Sequence, residues 1–108
     1  MDRTISETPE KWVIVELPNN EYKVFGTWSG GYLNGDRWKL NSGIEKVEED
    51  ENYYYFIGYS KSCYKCDKKS YGFVTNYGLS VLKGLIEKTN NQIKLIENNQ
   101  DWIKYFNK

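Results

Sequence analysis

The segment Tyr53-Tyr54-Tyr55-Phe56-Ile57-Gly58-Tyr59 restricts the fold of this chain more than any other feature. In a strand, successive side chains point to opposite faces. Tyr53, Tyr55, Ile57 and Tyr59 then share one face, and Tyr54, Phe56 and Gly58 the other. Both faces are aromatic, so neither is an ordinary solvent face. One belongs to the core. The other needs a helix, a second subunit or a ligand over it, and two-layer architecture assigns that cover to the C-terminal helices. The rest of the chain has the same bias, with 4 Trp, 10 Tyr and 4 Phe in 108 residues. That density argues against disorder, and the length suits one domain.

Short strand-like runs precede this segment. Trp12-Val13-Ile14-Val15 is a β-branched run suited to a buried strand. Pro18-Asn19-Asn20-Glu21 reads as a turn, and Tyr22 to Trp28 as the returning strand of a hairpin. Arg37 to Leu40, Ile44 to Glu48 and Ser62 to Cys66 read as further strands between turns. The period changes near residue 76. Leu79, Leu82, Leu85 and Ile86 fall at helical spacing after Thr75-Asn76, which can cap. Gln92 to Glu97 reads as a strand, and Gln100 to Phe106 as a last helix behind an Asn98-Asn99 cap. The expected fold is α+β: an antiparallel meander of about five or six strands, packed by C-terminal helices. Residues 1–10 read as a flexible lead and residues 11–108 as one domain.

Absences narrow the chemistry. The chain has no histidine, which removes Ser-His-Asp and Cys-His catalysis and His-ligated zinc. No P-loop spacing occurs, and Gly30-Gly31 with Gly35 is not a dinucleotide fingerprint. The expectation is a non-enzymatic protein with no cofactor and no metal. Cys63-Tyr64-Lys65-Cys66 has redox or half-zinc spacing, yet no second ligand pair exists. Its surroundings read as strand, where positions i and i+3 face opposite ways. Two reduced cysteines, one partly buried, are expected there. No apolar run approaches the length of a membrane span, and Met1 to Ile5 lacks an apolar signal region, so a cytoplasmic location is expected.

Two constellations are candidate binding surfaces. Trp28, Tyr32, Arg37 and Trp38 flank a glycine-rich connection, the composition of a recognition loop; Trp28 and Trp38 can equally face the core. Tyr54 joins them as a candidate partner contact if its face is open. Tyr59, Lys61, Tyr64, Lys65, Lys68 and Lys69 interleave basic and aromatic residues, as an anion or single-strand nucleic-acid patch does. Charge divides along the chain. Residues 1–52 hold 11 acids and 6 bases, residues 53–108 hold 4 acids and 9 bases. Such asymmetry can steer a partner, though two solvated turns explain it as well.

The stretch Tyr22-Lys23-Val24-Phe25-Gly26-Thr27-Trp28-Ser29-Gly30-Gly31-Tyr32-Leu33-Asn34-Gly35-Asp36-Arg37-Trp38-Lys39-Leu40-Asn41-Ser42-Gly43-Ile44 is distinctive. With Tyr55 to Cys66 and Tyr71-Gly72, it resembles a group of small uncharacterised proteins from phages and mobile elements, over roughly residues 11–88. The resemblance carries no site residues. It implies a protein that binds and inhibits a host protein, including defence components of the CRISPR type. A neutral chain is poorly suited to mimic nucleic acid, so an occluding protein–protein contact is the expected mechanism. A nucleotide or single-strand nucleic-acid binding module is the alternative. The sticky face Trp102, Ile103 and Phe106 leaves a choice between an internal helix and a homodimer, and the homodimer is expected.

Overall fold

Trp12-Val13-Ile14-Val15 is apolar at every position because β1 (Lys11–Leu17) is buried on both faces. The computed structural model describes residues 4–29, 37–73, 76–90, 92–98 and 101–106. A 3-10 turn over Pro18–Asn20 leads into β2 (Glu21–Trp28), which pairs antiparallel with β1 from Leu17↔Glu21 to Lys11↔Thr27. β3 (Arg37–Leu40) pairs with the end of β2. After β4 (Ile44–Glu49), β5 (Tyr53–Gly58) and β6 (Cys63–Asp67) come α1 (Asn76–Lys88), β7 (Lys94–Ile96) and α2 (Trp102–Phe106). β7 returns to the free side of β1.

The class is α+β with antiparallel strands, as expected, but the meander is cut into two sheets. One has the order β3-β2-β1-β7 and the other β4-β5-β6. The cut falls at Asn41-Ser42-Gly43. The Asn41 amide donates to the Val24 carbonyl, and its Oδ1 accepts from the Val24 and Gly43 amides. Gly43 then turns the chain at φ +116, where an L side chain is strained. β4 therefore starts a new sheet instead of extending the first. A bulge between Ile44 and Lys46 lets Ile44 and Val47 both face inward.

Three layers result. Val13, Val15 and Phe25 face α1 through Leu82. Gly78 lets the helix close on the sheet, since a Cβ there would sit 2.7 Å from Thr27 Cγ2. On the other face Trp12, Ile14 and Val24 meet Tyr54, Phe56, Val47 and Trp102. The Trp12 ring contacts those of Tyr54, Phe56, Tyr71 and Trp102, and its Nε1 donates to the Asp67 carbonyl at 2.7 Å. Removing such a side chain costs about 3–5 kcal/mol. The C-terminal helix α2 covers the Tyr54 and Phe56 face of β5, the same face that meets the first sheet. The Tyr53 and Tyr55 face is covered locally. Lys65 Nζ lies 4.3 Å from the Tyr53 ring centroid, and the Tyr55 phenol donates to Asp50 Oδ2 at 2.6 Å.

Two further expectations are corrected. Of the expected flexible lead, residues 4–10 are tied down. The Ser6 amide donates to the Cys63 carbonyl, the Lys65 amide to Glu7, and Trp28 Nε1 to Thr8. Pro9 is buried. α2 is capped by Asp101, whose Oδ1 accepts from the Lys104 amide at 3.0 Å; Asn99 of the expected Asn98-Asn99 cap lies outside the described residues. Thr75, the expected α1 cap, lies outside the described residues. Among the described residues no helix is long and apolar enough to cross a membrane.

Candidate functional site

The β2–β3 ladder places three of the recognition-loop candidates, and alternation divides them. Trp28 and Arg37 are register partners, with the guanidinium 4.8 Å from the Trp28 ring centroid. Trp28 itself is buried, its indole bonded to Thr8. Trp38 lies on the opposite face, where it stacks on Phe25 at 5.4 Å and remains 37% exposed. Tyr32 lies outside the described residues. Tyr54 is 5% exposed and belongs to the core. Burial pushes its phenol up, against a hydrogen bond from the Trp102 backbone. Of these candidates Trp38 and Arg37 remain open to solvent, while Trp28 and Tyr54 are buried.

The basic and aromatic candidates do not form one patch. Tyr64 is buried in the core, and burial pushes its phenol up to about 12. Lys61 Nζ lies 3.2 Å from Glu45 Oε2, and Lys68 Nζ lies 2.9 Å from Glu49 Oε2. The Glu49 hydrogen bond raises the Lys68 ammonium. Lys68 also sits 4.9 Å from the Tyr54 ring centroid, and Lys65 covers Tyr53. The Lys69 amide donates to Asp67 Oδ1. Glu45 and Glu49 of β4 meet Lys61 and Lys68, which lie just before and just after β6, so part of the charge division of the sequence is met beside one sheet. The acidic turn has its own structural task, because Asp50 Oδ1 accepts from the Asn52 and Tyr53 amides. The Tyr55 hydrogen bond, with those two, holds its carboxyl below the usual value.

Cys63 and Cys66 both lie on β6 and are both buried, where one was expected to be partly open. Cys66 faces the core, and burial pushes its thiol well up. A thiol in that state is a poor nucleophile. By alternation Cys63 points to the other side, so the pair cannot close a disulfide without rebuilding the strand.

At the opposite end of β2 the two sheets part around a cleft of about 540 Å³. Tyr22 of β2, Ile44 and Glu45 of β4, Tyr59 of the β5–β6 turn, and Tyr105 and Phe106 of α2 line it, with Asn20 at its edge. Tyr22 stands at 88° to Tyr105 and 75° to Phe106, with centroids 5.6 and 5.3 Å apart. A hydrogen bond to the Tyr22 phenol, with burial, pushes Tyr105 up to about 12. Tyr59 is 59% exposed, yet its backbone is fixed. Its amide donates to the Gly43 carbonyl, and Ser60 bonds Ser42 through amide and hydroxyl. The Tyr59 ring lies against Gly43, next to Glu21 Oε1.

Comparison of the chain with protein-family models, with curated proteins and with solved structures returns no match. Sequence reasoning placed Tyr59 in a different patch and did not connect it with Tyr22, Ile44, Glu45, Tyr105 and Phe106. No local spacing could have done so, because the cleft joins segments from positions 20 to 106. The sole cue was the apolar face of the last helix, which had more than one use.

Proposed function

We propose that the protein acts without catalysis, by binding a host protein and occluding it through the β3 edge. The observation that carries this reading is Trp38. It is a large, partly exposed aromatic on an edge strand, held flat by the buried Phe25 ring. Among the described residues no strand pairs with the outer side of β3. An open edge offers backbone donors and acceptors to an added strand, and Trp and Arg dominate binding hot spots. The resemblance to small phage proteins adds the inhibitory role and directs attention to defence components of the CRISPR type. The nucleotide or nucleic-acid alternative draws less support, because Lys61 and Lys68 already have carboxylate partners.

The test captures partners from host lysate with the wild-type chain, Trp38→Ala and, as a distant control, Lys83→Ala on α1. The expected result is a specific partner retained by the control and reduced at least roughly tenfold by Trp38→Ala, the loss of a hot-spot residue. Equal recovery by all three proteins refutes the β3 contact.

A further inference from the structure

We propose that the cleft at the start of β2 is a binding site for the alkylammonium group of an organic ligand. The inference goes beyond the partner contact at β3. The six residue steps from Tyr22 to Trp28 separate the two places by about 20 Å along the strand.

Ring geometry is the first argument. Tyr22 is nearly perpendicular to both Tyr105 and Phe106, and those two stand at 75° to each other. The rings make a corner, not a flat platform. A flat platform suits a sugar ring or a base. A rounded cation can approach a ring face at such a corner, where a flat ligand cannot stack, and is attracted to the negative face of an aromatic ring. Tyr59, across the cleft, supplies another aromatic wall from a backbone pinned to Gly43.

Charge is the second argument. Glu45 lines the cleft, and Glu21 Oε1 lies against Gly43 beside the Tyr59 ring. Tyr105, like any phenol at physiological pH, is neutral and adds no charge of its own. The cation at the rim is Lys61, which pairs with Glu45 in a solvent-exposed bridge. Such a bridge is worth about 0–1 kcal/mol and yields readily to a desolvated competitor. An anionic ligand would meet the Glu45 carboxylate; an ammonium meets that carboxylate and several rings. A quaternary group needs no hydrogen-bond acceptors, so the rings and the Glu45 charge suffice to hold it.

The chemistry fits a free quaternary amine or a methylated lysine side chain, and the experiment separates them. The full chain is titrated with choline, with N-trimethyl-lysine, with the neutral carbon isostere 3,3-dimethylbutanol, and with glucose. Aromatic proton NMR reads the response. Saturable shifts confined to Tyr22, Tyr59, Tyr105 and Phe106 are expected with at least one of the two cations. The neutral isostere should bind at least roughly tenfold more weakly, the range of a desolvated cation–π contact. Tyr59→Ala and Glu45→Gln, both altering exposed side chains, should each weaken binding several-fold while circular dichroism stays unchanged. Preference between choline and N-trimethyl-lysine identifies the source. Absence of saturable shifts with both cations overturns the proposal. So does equal binding of the isostere, binding of glucose alone, or insensitivity to both variants.

Discussion

Replacing Tyr71 by Phe removes one oxygen atom and tests how the first sheet is closed. The Tyr71 phenol accepts from the Ile14 amide at 3.0 Å and donates to the Ile96 carbonyl. It stands where β1 passes from its bridge with Tyr71 to its ladder with β7, which is only three residues long. The ring is held separately, edge-on to Trp12 at 4.9 Å and stacked on Trp102 at 6.0 Å. Phe keeps those contacts, so no cavity forms. What is lost is the partner of an amide in a residue with no exposed surface. A buried donor left unmade costs about 1–3 kcal/mol. The half-buried Ile96 carbonyl can still reach water and adds less. The expected loss is about 2–3 kcal/mol, a large share of the ~5–15 kcal/mol that holds a domain together. Urea unfolding measures it as a lower midpoint at unchanged slope. Tyr59→Phe, on an exposed ring, is the control and should stay within about 0.5 kcal/mol. Hydrogen exchange adds a local reading, with β7 amides faster and β4–β6 amides unchanged. A loss below about 0.5 kcal/mol, or unchanged exchange in β7, refutes the account.

Other outcomes follow from the same contacts. Tyr64, Tyr71 and Tyr105 are each pushed up to about 12, against an ordinary value near 10, so the folded state holds these protons more tightly. Their stabilisation is whole below about pH 10 and is lost as pH rises through about 12; tyrosinate absorbance should show late-titrating phenols that become ordinary in urea. Gly43→Ala should cost about 1–3 kcal/mol in thermal or urea unfolding, because a side chain at φ +116 is strained and its Cβ would sit 2.8 Å from the Tyr59 ring. Sedimentation at micromolar concentration should give a monomer mass, since Trp102 is fully buried in its own chain and no longer supplies the face on which a homodimer was expected; a dimer mass would show that another surface associates.

Local patterns were legible, and long-range closure was not. The run Trp12 to Val15, the hairpin around Pro18 and the helical spacing from Leu79 to Ile86 all announced their elements through period and turn chemistry. The division into two sheets was not announced. It depends on the Asn41 side chain replacing ladder bonds at Val24, and a turn-like Asn-Ser-Gly looks the same whether it joins neighbours or changes sheet. The lead was misread for a related reason. Residues 4–10 have no period of their own because they borrow partners from β6 and from the end of β2. Among the site candidates, alternation could have separated Trp28 from Trp38, since both flank one connection between paired strands. The cleft lay beyond reach, because Tyr22 and Phe106 meet only after α2 has folded back between the sheets.

Most features that seemed free in the sequence are used inside the fold. Carboxylates of β4 meet lysines just before and just after β6, and the aromatic excess fills the space around Trp12. Trp38 on the β3 edge and the cleft beside Tyr22 are the two surfaces proposed for binding. They sit at the two ends of β2, a strand paired with β1 along most of its length and with β3 at its far end. A rigid strand with separate surfaces at its ends lets each be altered alone. Trp38→Ala should therefore leave ammonium binding intact, and Tyr59→Ala should leave partner capture intact. If either variant abolished both, the cause would be a shared loss of sheet structure, and neither surface could be assigned from that variant.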